Sequence, residues 1–547
     1  MENSTEQKES PAGTSPAKKQ GRSLAAKGLS LSFLTLASRL LGLVREMTKA
    51  KFLGTSTFSD AFVIAFQVPN FFRRLFAENS VSVAFIPTFK SRLEDSSTEE
   101  GKRETQEFIN STFTLVTFFT VVFVTLGMIF TPLILKIFFG KESMDALTEA
   151  TILTRIMFPY LVVISIAALL QGILNALKIF SPSGFTPILF NAIVIAFTYI
   201  LSYFKLTENP ARAMSIGVIT GGCVQAIFQL PFVLRNNWKL SFTSLKKAFK
   251  NPYTKTVIRL IGPTIIGMAA YQINDIVSSS LATRAGTGVC SSLQYSLRLQ
   301  ELILGICAVT IGTVILPDLT GFAKKCEWDS FSKLLKQSVN IMTLISIPIT
   351  FYSLIMAKNL ITLVFATGRF NEDSILMTQK VFCCHILGLT FIAVNRIVSP
   401  AFYAQGDTKS PTIAGLINFA VNISLALVLV RQMSGSGIAL ALSIASLVNT
   451  AFLFYFLKFK KNINIASVLG STFLYALKVT LFSAIAALPI YFLRGKIELL
   501  FAGHNRLVSQ GIPVAITACI FGGIGLLLLL ITKDPIVGIV VKKFRRK

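Results

Sequence analysis

The sequence predicts an all-α polytopic membrane protein. It reads as about fourteen transmembrane helices, arranged as two like-oriented six-helix lobes around a central cavity, plus two extra C-terminal helices. Three observations predict this. Apolar residues make up 52% of the 547 and charged residues only 14%, against about 25% charged in soluble domains. Apolar stretches long enough to cross a bilayer, about 20 residues, recur from end to end. Landmarks in the first half also return in the second, six segments later.

Taken in order, residues 1–26 are rich in Ser, Lys, Glu, Gln and Pro, a composition that buries too little to fold, so a disordered cytoplasmic tail is expected. The N-lobe, 27–236, holds six apolar segments at 27–53, 57–89, 107–135, 148–177, 185–204 and 212–235. A basic cytoplasmic linker follows at 237–253. The C-lobe, 254–458, holds six more at 254–283, 289–317, 334–357, 376–403, 411–430 and 437–457. The last part, 459–547, holds two at 466–493 and 510–532 and ends in a basic tail. The second and eighth segments are the least hydrophobic.

The internal repeat rests on two landmarks. Gly54 leads through a span to Ala84-Phe85-Ile86-Pro87 and a basic loop with Lys90 and Arg92. Gly286 leads likewise to Val314-Ile315-Leu316-Pro317 and then Lys324 and Lys325. Ser183-Gly184-Phe185-Thr186-Pro187 opens one later helix, and Gly406-Asp407-Thr408-Lys409-Ser410-Pro411 opens its counterpart. Two such lobes are a secondary-transporter plan, with the site between them.

Charge sets the orientation. The net charge of +27 invites a nucleic-acid reading, but in a polytopic chain Lys and Arg gather in cytoplasmic loops, so no nucleic-acid partner is expected. An even number of spans puts both termini on one side. Loops on that side hold about 29 of the 53 Lys and Arg and the other loops about 13, which places both termini in the cytoplasm. Two His and seven scattered Cys with no Cys-x-x-Cys argue against a His-built metal or catalytic centre, a zinc site or a disulfide frame. No cofactor is expected.

About 11 basic residues remain inside the spans. Arg39 and Arg45 lie in the first, Arg73 and Arg74 in the second, Arg155 in the fourth, Arg298 in the eighth and Arg396 in the tenth. A central Arg costs about 2.5–3.5 kcal/mol even on the lenient insertion scale, so these side chains must face a watery cavity or a partner. Arg74 with Glu78 and Arg298 with Glu301 are at helical pairing distances; Asp60 and Glu46 are further partners. Arg73 and Arg74 are about 100° apart, so one of the two points inward. Lys478, Lys380 and Arg259 read as snorkelling or loop-edge charges. An excess of Arg in a membrane cavity calls for an anion, and the planar guanidinium suits phosphate.

The residues just named resemble the MurJ (MviN) lipid II flippase family. Ser38-Arg39-Leu40-Leu41-Gly42-Leu43-Val44-Arg45-Glu46 is similar to its first-helix signature. Asp60-Ala61-Phe62, Pro69-Asn70-Phe71-Phe72-Arg73-Arg74-Leu75-Phe76-Ala77-Glu78 and Ala84-Phe85-Ile86-Pro87 are similar to its second helix. Gly262-Pro263, Arg298-Leu299 with Glu301, and Pro400-Ala401-Phe402-Tyr403 with Asp407 and Pro411 also fit. The likeness runs from about residue 27 to the end. It implies the multidrug/oligosaccharidyl-lipid/polysaccharide exporter fold, a bacterial inner-membrane location, and movement of the polyprenyl-diphosphate-linked peptidoglycan precursor to the outer leaflet. It implies diphosphate binding by Arg39, Arg45, Arg73 and Arg298. It gives gating or structural roles to Asp60, Glu78, Arg74, Glu301 and Ser38, and a lipid-tail groove along spans thirteen and fourteen.

The chain departs from the family in two places. Asn79 stands where a small residue is common. At the sodium site of some members, spans seven, eleven and twelve here offer Ser278, Asn418 and Asn422, with Asp275 one turn away. Without two carboxylates such a site is weak, so no metal is expected. Partners implied are lipid II or a similar polyprenyl-diphosphate lipid, membrane lipids and cell-wall synthesis proteins. The alternatives are a flippase for another lipid-linked saccharide, since arginines read the diphosphate and not the sugars, or a membrane-embedded enzyme on such lipids. The second needs a general base or paired carboxylates, which the loops do not supply. Outward movement of an anion across an inside-negative potential is downhill by about 2.3 kcal/mol per charge per 100 mV, which makes the potential a candidate drive.

Overall fold

The computed structural model describes residues 16–75, 84–138, 144–459 and 465–536. Among the described residues there is no strand, and the described part of each expected apolar segment is largely helical. The first half holds α1 (Pro16–Leu53), α2 (Thr57–Arg73), α3 (Ile86–Asp95), α4 (Glu99–Leu135), α5 (Met144–Met157), α6 (Tyr160–Ala176), α7 (Ser181–Tyr203) and α8 (Pro210–Arg235). After the short α9 (Leu245–Lys250) come α10 (Pro252–Arg284), α11 (Val289–Lys324), α12 (Trp328–Ile355), α13 (Ala357–Phe365), α14 (Glu372–Leu387), α15 (Leu389–Tyr403), α16 (Lys409–Met433) and α17 (Gly435–Lys458). The chain closes with α18 (Ile465–Leu500), a π-helical turn at Leu507–Gly511, and α19 (Ile512–Ile531).

Nine helices among the described residues are long and apolar enough to cross a membrane, or ten when the bent pair α14–α15 is one span. The other segments are helical but weaker candidates. In the second segment residues 76–83 lie outside the described residues, and the second half of α1 carries Arg39, Arg45, Glu46, Lys49 and Lys51. At the N-terminus the expected boundary shifts. Helix α1 begins at Pro16, so residues 16–26 of the expected tail are helical, and residues 1–15 lie outside the described residues.

The two halves repeat each other's packing. In the first, α7 pairs with α8, α2 packs on α5, and α4 on α6; in the second, α16 pairs with α17, α11 packs on α14, and α12 on α15. The fourth and tenth spans are both broken, at Phe158-Pro159 and at Gly388, the latter with a 41° bend. The bend at Gly388 lies against α17, where an added Cβ would come within 2.6 Å of Ser443 Oγ. Ser443 Oγ in turn donates to the Cys384 carbonyl (2.7 Å), one of those the break leaves without a helical partner. Gly54 and Gly286, the paired landmarks, both turn the chain in the left-handed region, at φ +60° and +140°, where a Cβ is disfavoured.

The two last helices dock on the second half. Met356, Ala486, Ile490 and Phe521 form one small core between α18, α19 and the end of α12. Asn359 Nδ2 donates to Glu498 (2.9 Å) and Gln510 (3.0 Å). Lys478 does not snorkel as expected. Its Nζ lies 2.8 Å from Asp534 Oδ2, whose fully buried carboxylate also accepts from Tyr475 Oη at 3.3 Å. A long amine inside a helical bundle finds a buried acid closer than the headgroup region, and the pair then fixes where the chain after α19 returns to α18.

Removing one member of such a pair leaves the other charge uncompensated, a loss of about 3 kcal/mol. Asp534→Ala is expected to lower the Tm of the purified protein by several degrees. Asp534→Leu combined with Lys478→Met should restore most of it. Equal destabilisation by single and double variants would show that packing alone, and not the ion pair, holds α18 to α19.

Candidate functional site

At the end of the bundle that carries the α1–α2 turn, the halves lock together through backbone. Helix α11 starts at Gly288 (φ +82°), which has no side chain to cap it. Asp60 of α2 supplies the cap from the other half. Its carboxylate accepts from Gly288 N (2.6 Å) and Ser291 N (2.8 Å), two of the free N–H groups at a helix start. Tyr295 of α11 donates to the Gly54 carbonyl (3.0 Å), and Thr55 Oγ1 is 2.7 Å from Ser374 Oγ of α14. Arg369 N donates to the Lys51 carbonyl (2.9 Å). The approach is close because glycines permit it. A Cβ on Gly288 would lie 2.5 Å from the Thr55 carbonyl oxygen, and one on Gly54 the same distance from that of Arg369. Asp60 is 3% exposed and Tyr295 fully buried, so this end is sealed.

Beneath that seal lies a cavity of about 840 Å³ between the halves. Its described lining carries five cations, Arg45, Lys49, Arg74, Arg298 and Arg396, against three carboxylates, Glu46, Asp275 and Glu301. Glu46 is the hub. One of its oxygens accepts from Arg45 Nη2 (2.9 Å) and faces Arg298 Nε at 3.9 Å; the other pairs with Lys49 Nζ at 2.7 Å. Arg298 also pairs with Glu301 (2.9 Å), as its spacing predicts, and Arg74 with Asp275 (3.5 Å) and Gln272 (3.0 Å). Lys49 sits 4.4 Å from the Tyr295 ring centroid, so the hub touches the seal. Among the described residues the cations outnumber the carboxylates by two.

The walls differ. Helices α7 and α8 of the first half contribute Val194, Met214 and Val218, while α15, α16 and α17 of the second contribute Asn395, Arg396, Ser399, Asn418, Ser446 and Asn449 among Ile392, Pro400, Ile438 and Leu442. A row of amides and hydroxyls inside a membrane bundle is costly against hydrocarbon and favourable against a hydrated, hydroxyl-bearing ligand.

The expected site residues separate into groups. Arg45 and Arg298 line the cavity together. Arg39 does not line it; its guanidinium packs over Gly305 of α11, in space that any Cβ there would occupy. Arg73 turns to Asn70 Oδ1 (2.7 Å), and it is Arg74 that lines the cavity, so the inward member of the adjacent pair is the one expected to be structural. Glu78 lies outside the described residues. Ser38 lends its carbonyl to Asn191 Nδ2 (3.4 Å), a link between α1 and α7. Arg155 is exposed and donates to the Met128 carbonyl (3.2 Å), bridging α5 to α4, whereas Arg396 is in the cavity wall.

Of the sodium-site candidates, Asp275, Ser278 and Asn418 line the cavity. Asp275 faces Arg74, and Asn422 Nδ2 donates to Asn274 Oδ1 (2.7 Å). Among the described residues no cluster of three or more His, Cys, Asp or Glu has metal-holding geometry. The residue that sequence reasoning undervalued is Lys49. Its place one turn after Glu46 on α1 was the available signal.

The family model of the lipid II flippase MurJ matches residues 49–505. A probable lipid II flippase MurJ of Treponema pallidum is 43% identical over 518 residues, covering 94% of this chain and 97% of that protein. A solved lipid II flippase MurJ in an inward closed conformation superposes with a TM-score of 0.75 at 26% identity, covering 92% of this chain and 99% of that one. A multidrug transporter of the MATE family and MOP superfamily, at 12% identity and a TM-score of 0.63 over 80% of this chain and 98% of that one, shares the fold.

Two measurements test this geometry. Losing a charged cap weakens the seal by about 1.5–3 kcal/mol. Asp60→Ala should therefore raise modification of the buried Cys290, just beneath the seal, by about tenfold or more. A membrane-impermeant maleimide is applied from the α1–α2 turn side and the product read by peptide mass spectrometry; an unchanged rate would remove Asp60 from the closure. Gly305→Ala should push Arg39 out of its place, and transport should fall as far as in Arg39→Ala. Full transport in Gly305→Ala would show that the close approach is dispensable.

Proposed function

The chain belongs to the lipid II flippase MurJ family, and on that premise we propose that it carries its substrate by the diphosphate, held in the cavity by Arg45 and Arg298. The protein is an integral membrane lipid II flippase. The observation that carries the proposal is that, among the described residues, the lining holds five cations against three carboxylates. A diphosphate diester brings about one negative charge per phosphate. It can take over the side of Glu46 shared by Arg45 and Arg298 while Lys49 keeps Glu46 neutralised.

Arg74 and Arg396 stand further along the same lining and supply secondary charge. Arg39, over Gly305, supports the entry to the Arg45 cluster. The amide- and hydroxyl-rich wall of α15 to α17 takes the sugars, and the polyprenyl tail stays in lipid along α18 and α19. Both termini face the cytoplasm of a bacterial inner membrane, so the Asp60 seal closes the outer end. Its release, with closure of the opposite end, gives alternating access. The membrane potential assists, because the charge moved is negative and moves outward.

The test is lipid II exposure on the outer leaflet of cells depleted of their own flippase. Wild type should restore it. Arg45→Ala, Arg298→Ala and Arg39→Ala, at equal protein level, should each lower it by about tenfold or more, the scale of one charged hydrogen bond. Full restoration by the arginine variants would overturn the diphosphate assignment and leave the family's function untouched. Collapsing the potential while ion gradients are held should slow transport; an unchanged rate would sink the electrical drive.

A further inference from the structure

The linker between the halves does not hang free. From Trp238 to Thr243 it runs extended along α4, held by one side chain per helical turn. Gln106 Oε1 accepts from Lys239 N (3.1 Å), Asn110 Oδ1 from Ser241 N (3.1 Å) and Thr114 Oγ1 from Thr243 N (3.0 Å). Positions i, i+4 and i+8 on the helix meet alternate N–H groups of the extended strand. Ser244 then caps α9, which lies against α4 with Phe249 5.9 Å from Phe119.

That position has a meaning in the membrane. Below Phe118 the large apolar residues of α4, such as Phe108, Ile109, Phe113 and Leu115, are buried. From Phe118 to Leu133 the helix exposes an apolar stripe, which Ile137 continues just past its end. At 1.5 Å per residue the helical part spans about 22 Å, most of the ~30 Å thickness of the hydrocarbon layer. Helix α9 sits where the stripe begins, at the edge of that layer. There α9 and the segment before it expose Phe242 (69%), Leu245 and Phe249 beside Lys246, Lys247 and Lys250, all three exposed.

We propose that this linker is an interfacial anchor for anionic phospholipid. Phe242, Leu245 and Phe249 enter the acyl boundary, and the three lysines meet lipid phosphates. Apolar side chains at the edge of the hydrocarbon with lysines above them are the two parts of an interfacial amphipathic element. The Gln106–Asn110–Thr114 ladder fixes its depth, and the patch is continuous with the lipid-facing side of α4. The anchor holds the start of α10, and with it the second half, at a set height against the first.

The experiment uses the full chain in lipid nanodiscs with Phe249→Trp as reporter and the unsubstituted protein as the tryptophan background. Brominated phosphatidylglycerol should quench the reporter at least twice as strongly as brominated phosphatidylcholine at the same mole fraction. Lys246→Gln, Lys247→Gln and Lys250→Gln together should abolish that preference. The three Lys→Arg replacements should keep it, which separates charge from folding. As a control, Lys324→Gln, Lys325→Gln and Lys333→Gln, in the α11–α12 region, should leave it unchanged. Equal quenching by the two lipids, or quenching by neither, overturns the proposal. So does equal loss in the control. If lipid preference is absent and the Gln variant still fails to support growth, the patch receives a protein, and the lipid assignment is wrong.

Discussion

An arginine in the middle of a bilayer must find water or a carboxylate, and the interior of this molecule is organised by how few carboxylates it provides. Glu46 is shared among Arg45, Lys49 and, at longer range, Arg298. At such separations two unit charges interact by about 4 kcal/mol in a partly polar interior. With Glu301 on the other side of Arg298, two acids steady three cations without neutralising them. A fully matched set would make a stable bundle with no affinity for anions; an unmatched set would not insert. The balance leaves enough positive charge for a ligand to complete.

The same economy explains why the seal and the cavity are neighbours. Lys49 lies over the ring of Tyr295, and the Tyr295 hydroxyl holds the Gly54 carbonyl across the interface. Asp60, a turn beyond Ser56, caps α11 some ten residues before Arg298 in the chain. Helix α11 thus carries the cap of one half at its start and a cavity arginine three turns later. A shift of α11 along its axis changes both together, which is what rigid-body exchange between two states requires. The glycine contacts make the change discrete. Backbone packed this closely has no soft intermediate position, because Gly54, Gly288 and Gly368 each have carbonyl oxygen where a Cβ would stand.

Much of this was legible in the sequence, and what was not shares a cause. Hydropathy located the helical segments, because a bilayer imposes length and polarity on each span separately. Arg45, Arg298 and the Arg298–Glu301 pair were legible because helix geometry relates close neighbours. Contacts between distant residues were not. Nothing local says that Asp60 caps Gly288, or that Lys478 reaches Asp534. The inward member of Arg73 and Arg74 was undecidable from a 100° offset alone, since it depends on Asn70, Gln272 and Asp275. The start of α1 was misplaced because composition reports what can bury, whereas a helix can continue from a buried segment into polar sequence. The ladder on α4 had a signal, Gln106, Asn110 and Thr114 at four-residue spacing, but the start of α4 is rich in other polar residues, and its partner is an extended segment with no periodicity of its own.

The strength of the seal bears on whether a substrate can drive it. The Asp60 cap and the few neutral hydrogen bonds around it contribute about 1.5–3 kcal/mol and about 1 kcal/mol each. Inverting a two-state population from 1:99 to 99:1 takes about 5.5 kcal/mol of differential affinity. The two quantities are of the same order. A diphosphate that displaces Glu46 from Arg45 and Arg298 leaves Glu46 to Lys49 alone and alters the cation over Tyr295, so the ligand acts on the seal through one side chain and one ring. The same end also buries apolar side chains of both halves in one cluster, Leu53, Ala61 and Phe62 with Val289, Leu293 and Ile438. The ligand therefore works against that packing as well as against the cap, the tyrosine and the glycine contacts.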